Sequence, residues 1–135
     1  MYILLMAHVV LRWLILLIAL VAIVKYLIGW LSNGQFKGMD RGLMSGFSGF
    51  MDLQVTLGII LLLWSGLSGA GFPIARIFHG VVMIIAAIVA HLSVRWKNAD
   101  DKTRFQNNLF IVAGSLVLVV IGTVVLSMGQ ANNPL

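Results

Sequence analysis

The sequence predicts an all-α integral membrane protein, a four-helix bundle that runs up-down-up-down. Three observations carry that prediction. Of 135 residues, 61% are hydrophobic and 10% charged, with a mean hydropathy of +1.05; a soluble domain is about half apolar and about a quarter charged. The apolar residues gather in four runs, each close to the roughly 20 residues that a helix needs to cross a hydrocarbon core of about 30 Å. The connections, of about 11, 5 and 8 residues, are short enough to make neighbouring helices antiparallel. The same composition excludes a disordered chain, and the charges are too few and scattered to form a basic stripe for nucleic acid. The chain has no cysteine, which excludes disulfides, thiolate metal sites, iron–sulfur clusters and Cys nucleophiles.

The first span covers about 2–31 and is interrupted only by His8, Arg12 and Lys25. It lacks a basic leader, its apolar run is too long for the core of a cleavable signal, and no small-residue cleavage motif follows. It therefore reads as a retained helix. The second span, about 43–67, carries Asp52 and Gln54 in its first half. The third, about 73–96, opens at Pro73, a residue favoured at the first helical position. The fourth, about 105–128, has no charge after Arg104. A single transmembrane domain accounts for the whole chain.

The net charge of +5 belongs to the loops. Lys37, Arg41, Arg95, Lys97, Lys102 and Arg104 flank the loops after spans one and three, and on the opposite side only Arg76 stands near a span end. The positive-inside rule then puts both termini outside and the basic loops in the cytoplasm. Trp30 and Trp96 close spans one and three on the cytoplasmic side, as interfacial anchors do, and Trp64 stands near the outer end of span two.

Small residues predict close packing. Ser45 and Gly49, Ser65 and Gly69, and Ala86 and Ala90 are each four apart and share helix faces; Gly58, Gly66, Gly114 and Gly122 add thin places. Such positions either bring helices together or make room for a flat cofactor, where helices that touch at one end splay at the other.

Ionisable side chains at membrane depth are costly and usually face the bundle interior with a task. Here they are His8, Arg12, Lys25, Asp52, Arg76, His79 and His91, which include every histidine of the chain. Spans one and three run in the same direction. His8 is six residues past Tyr2 and His79 six past Pro73, so each lies roughly 9 Å below the outer boundary. Two histidines at one depth on two helices are what an axially ligated haem iron requires, and the porphyrin supplies the other four ligands itself. Zinc or a di-iron centre would need further His, Asp, Glu or Cys at that depth. Arg76, three residues before His79, shares its face and suits a haem propionate. Arg12, four after His8, either reaches the second propionate or pairs with Asp52. Met83, four after His79, and Trp13 are candidates to wall the ring. Structural hydrogen bonding by the two histidines, or a quinone or lipid head group between them, are the competing readings.

His91 does not fit that site. It lies about 18 Å beyond His79 along the axis and about 120° around it. His91, Arg95 and Asp52 form a possible quinone or proton site, because His and Asp relay protons at a water-accessible helix end. The plainer reading is that His91 and Arg95 mark the interface. Lys25 either snorkels to the inner head groups or pairs with Asp52.

The pieces His8–Val9–Val10–Leu11–Arg12–Trp13, Asp52–Leu53–Gln54 with Gly58, His79, and Ala90–His91 with Arg95 resemble a group of small bacterial four-helix membrane proteins labelled cytochrome b-like. These are compared with the cytochrome b561 architecture. The resemblance implies a bacterial cytoplasmic membrane, b-type haem between helices, and electron exchange with quinones or a redox protein partner. It also implies that His8, His79 and His91 are the shared polar positions. The cytochrome b561 pattern uses four histidines, and this chain has three.

Two functions follow from these readings. One is an electron carrier, rather than a bond-making enzyme, with one haem b between spans one and three near the outer face. The alternative is a non-catalytic accessory or assembly subunit of a larger respiratory or photosynthetic membrane complex, contacting quinone or pigment. Transport fits less well, since no inverted repeat and no pair of broken helices at mid-membrane is present.

Overall fold

In a computed structural model, which describes residues 1–132, the chain forms four helices: α1 Tyr2–Leu31, α2 Gly38–Ser65, α3 Ile74–Ala90 and α4 Asp101–Asn132. No strand occurs among the described residues. With the helical turns that continue α2 and α3, the four stretches Tyr2–Leu31, Gly38–Ala70, Ile74–Trp96 and Asp101–Gln130 are long and apolar enough to cross a membrane. Their outward faces agree, since Val10, Leu17, Val24, Ile60, Ile88 and Val120 are all exposed. Apolar surface on that scale would make a soluble protein aggregate, and in a bilayer it is the face that meets lipid.

Helices adjacent in sequence pack side by side, and α4 closes the ring against α1. Helices α1 and α3 therefore stand on one diagonal of the bundle, running in the same direction. The interior of α1 is a seam of Leu11, Ile15, Ala19, Ala22, Tyr26 and Gly29, spaced by three or four residues as one helix face requires. Between apolar helices in lipid the attraction comes from close packing rather than from water exclusion. Small side chains serve that on α3, where Ala86 and Ala90 are fully buried. The Ser115 hydroxyl of α4 donates to the Ala86 carbonyl at 2.7 Å. The other pairs of small residues do not make such contacts. Ser45 and Gly49 lie on an exposed face of α2, and Gly69 lies exposed in the turn after it. Gly114 likewise has open space beside it.

The packed core lies toward the end with the basic loops. Tyr26, Phe36 and Phe105 form an aromatic group with centroids 5.1–6.3 Å apart. The segment after α1 folds back across this end. The Phe36 N–H donates to the Asp101 carboxylate at 3.1 Å, and the Arg104 guanidinium covers the Phe36 ring at 4.1 Å. Asp40 anchors the segment. It is fully buried, its Oδ1 meets Lys25 Nζ at 2.7 Å, its Oδ2 accepts the Lys37 N–H at 2.9 Å, and its carbonyl accepts the Tyr26 hydroxyl at 2.7 Å. Lys25 thus pairs with Asp40 and not with Asp52. Because Asp40 caps the helix from its third residue, α2 starts at Gly38 rather than near residue 43.

The ends of the other helices have equally local causes. α2 runs into a widened turn, Gly66–Ala70, in which Gly69 has φ 117° and Gly71 follows at φ 70°; glycine takes such angles without a Cβ clash. Pro73 stands just ahead of α3, and its carbonyl accepts the Arg76 and Ile77 N–H groups. α3 tightens at His91 into a 3₁₀ segment that ends at Trp96. α4 starts at Asp101, four residues before the apolar run, because the Asp100 carboxylate caps it, accepting the Thr103 N–H at 3.4 Å and also the Thr103 hydroxyl at 2.6 Å.

Candidate functional site

Away from the aromatic core the helices splay. A cleft of about 520 Å³ opens inside the bundle at the end where α1 begins. The volume is within the range of cofactor sites. His8 and Arg12 of α1 line it together with Arg76, His79 and Met83 of α3. The diagonal placement of α1 and α3 therefore puts the two imidazoles on opposite walls of one space.

Helical spacing explains who lines the cleft. Arg12 is four residues after His8, Met83 four after His79 and Arg76 three before it, so each shares a face with its histidine. Trp13 does not line the cleft. It is 62% exposed and faces outward under the Arg12 guanidinium, 5.2 Å from its ring centroid. The assignment of Trp13 as a wall of the ring is therefore corrected: five residues after His8 is about 140° around the helix.

The two imidazoles are held differently. The His79 Nδ1 lies 3.1 Å from the Gly122 carbonyl. A carbonyl only accepts, so Nδ1 carries the proton and Nε2 the lone pair, the tautomer that metal-ligating histidines adopt. His8 lies against α2 at Gly58, where a Cβ would stand 3.2 Å from its Cε1. A larger residue at 58 would push the imidazole. The Gln54 amide donates to the His8 carbonyl at 2.8 Å. The His8 Nδ1 and the Gln54 Oε1 are both buried without a hydrogen-bond partner, which is uncommon for buried polar atoms.

Arg12 and Arg76 have no carboxylate partner within 4.0 Å among the described residues. Arg12 does not pair with Asp52, which lies elsewhere. Asp52 meets His91 in a contact between α2 and α3, with His91 Nε2 2.9 Å and 2.8 Å from the two carboxylate oxygens. Both side chains are 51% exposed. A groove of about 240 Å³ lies beside the pair, lined also by Thr56 and apolar residues. Arg95 is exposed and does not line it. Among the described residues no three His, Cys, Asp or Glu side chains gather to hold a bare metal ion.

Gln54, Gly58 and Gly122 are site residues that charge and depth alone did not single out. An amide within an otherwise apolar stretch is the signal that marks Gln54. Gly58 and Gly122 are among the four glycines that the sequence marks as thin places, and Gly58 also stands in the pieces that carry the resemblance.

No family model matches the chain, and no solved structure does. The chain is similar to the NADH-quinone oxidoreductase subunit N of Azorhizobium caulinodans, 27% identical over 113 residues. The match covers 78% of this chain and 22% of that protein. The chain thus corresponds to under a quarter of the length of the curated relative it matches.

Proposed function

We propose that the chain is a membrane subunit of a quinone-linked respiratory electron-transfer assembly and that its cleft holds one b-type haem between His8 and His79. The likeness to a quinone oxidoreductase subunit supports the first part. One observation carries the second: imidazoles from two diagonal helices open on a single cleft that also receives two arginines without carboxylate partners among the described residues. On this reading the cleft would be a one-site version of the cytochrome b561 architecture. By the count of basic loop residues, the cleft faces outward and the aromatic core faces the cytoplasm.

The residues fit such a group. The His79 proton is committed to the Gly122 carbonyl, which leaves Nε2 as ligand and keeps the ring from turning. Gly58 gives the Cε1 edge of the His8 ring room against α2. The His8 Nδ1 and the Gln54 Oε1 are both buried in the site without a hydrogen-bond partner. Arg12 and Arg76 supply forks for two carboxylates at a depth where an unpaired guanidinium is costly. When bound, haem supplies four of the iron ligands and one-electron chemistry. His8 and His79 would hold the iron from the protein side, Arg12 and Arg76 would meet the carboxylates, and the group would then serve as a one-electron carrier.

The test is the visible spectrum of the protein purified from haem-replete bacteria. The expected result is low-spin haem b at one per chain. A colourless preparation contradicts the haem, and the subunit role then stands or falls on whether the chain co-migrates with a quinone-reducing complex in native gels of mild-detergent membranes.

A further inference from the structure

The Asp52–His91 pair is not used by the haem cleft. It is half exposed and lies within the spans Gly38–Ala70 and Ile74–Trp96, at the level where α3 gives way to its 3₁₀ segment. Asp52 is 11 residues into α2 beyond Arg41, about 16 Å from that basic end. A carboxylate and an imidazole turned toward hydrocarbon are costly unless a polar group covers them. Phospholipid phosphates stay at the surface, and Asp52 repels them. The cover must be a molecule that is soluble in lipid and carries hydrogen-bonding oxygens.

We infer that this groove is a binding site for the head group of a quinone or quinol. The hydrogen-bond logic is specific. A carboxylate only accepts, so His91 Nε2–H donates to both Asp52 oxygens. That leaves His91 Nδ1 without a partner among the described residues. In the neutral ring Nδ1 accepts the hydroxyl proton of a quinol; in the protonated ring it donates to a quinone carbonyl. The Thr56 hydroxyl is committed as donor to the Asp52 carbonyl at 2.8 Å, and its oxygen offers a further acceptor to a quinol. Val55, Ile84, Ala87 and Ile88 give an apolar trough for a flat ring. Ala87 keeps that trough open, and the tightening of α3 at His91 aims the imidazole across to α2. No titratable group besides Asp52 and His91 lines the groove. The inference needs the membrane-spanning fold and is independent of haem in the cleft.

The test uses the full chain in lipid nanodiscs with a short-chain benzoquinone that carries a photoreactive azide. Labelling is expected on the peptides around Asp52 and His91. Asp52→Asn and His91→Phe should each weaken binding about tenfold, as loss of a hydrogen bond to a charged group does. Arg95→Gln should leave it unchanged. Labelling confined to peptides around His8 and His79, or undiminished binding by both variants, overturns the site. So does a cross-link from Asp52→Cys to a second helix that shields the pair. The haem spectrum of the same sample reports separately on the cleft. A red protein without quinone labelling sinks the groove alone, and a colourless protein with labelling sinks the haem alone.

Discussion

Replacing either partner of the Lys25–Asp40 pair should destabilise the bundle, and by unequal amounts. Asp40 is completely buried, whereas the Lys25 side chain is 37% exposed. Breaking a buried ion pair by removing one partner costs about 3–5 kcal/mol because the other charge is left uncompensated. In Lys25→Met the stranded group is the sealed carboxylate, so the loss should be near that full range. In Asp40→Ala the stranded ammonium regains water through its exposed part, which reduces the loss to about 2–4 kcal/mol even with the Lys37 N–H also orphaned. Lys25→Met with Asp40→Leu strands neither charge and should lose less than the sum of the single changes, with a coupling of about 1–3 kcal/mol. Reversible unfolding in mixed detergent and dodecyl sulfate micelles, followed by circular dichroism, measures all three. Equal single losses below about 0.5 kcal/mol, or strict additivity, would refute the reasoning.

Other consequences are as direct. Gly58→Ala brings a Cβ to 3.2 Å from His8 Cε1, short of the roughly 3.5–4.0 Å optimum for carbon contacts; haem titration should then show affinity about tenfold weaker, and an unchanged titration would mean that this contact does not hold the imidazole. Ser115→Ala removes the buried hydrogen bond to Ala86 and should lower stability by about 0.6–1 kcal/mol in the same micelle unfolding experiment; no change would remove that bond from the account of α3–α4 packing. Hydrogen bonding from the Thr103 hydroxyl holds the Asp100 carboxyl below its ordinary value of 3.8, so the capping contribution is present above the ordinary carboxyl range and fades as pH falls through the lowered value. Thr103→Val should return the Asp100 titration toward 3.8, read by carbon NMR of the labelled carboxyl.

Four helices were legible because a spanning helix needs one property, apolar length, and that is written directly in the chain. Their ends were less so. The start of α2 depends on Asp40, which reads as a loop charge until its chain is seen folded back over Tyr26 and Lys25. For the same reason the sequence offers Lys25 only the inner head groups or Asp52, the acid inside a span, when the acid that completes it lies only 15 residues away. The cleft was legible where face-sharing spacing applies: Arg12, Arg76 and Met83 follow from the two histidines by steps of three or four. Trp13 stands outside the cleft because it is five residues after His8, a rotation of about 140° on a helix. The Asp52–His91 contact could be suspected from composition but not its face. Whether a residue near a helix end turns inward or toward lipid is set by packing against neighbours, which no single helix records.

The measurement that bears most directly on the central claim is the haem content and low-spin signal of single histidine variants. His8→Ala and His79→Ala should each abolish low-spin haem b, because each removes one of two ligands on opposite walls, while His91→Ala should retain it at one per chain. Retention of the signal in either of the first two variants, or its loss only in His91→Ala, would contradict a haem clasped across α1 and α3.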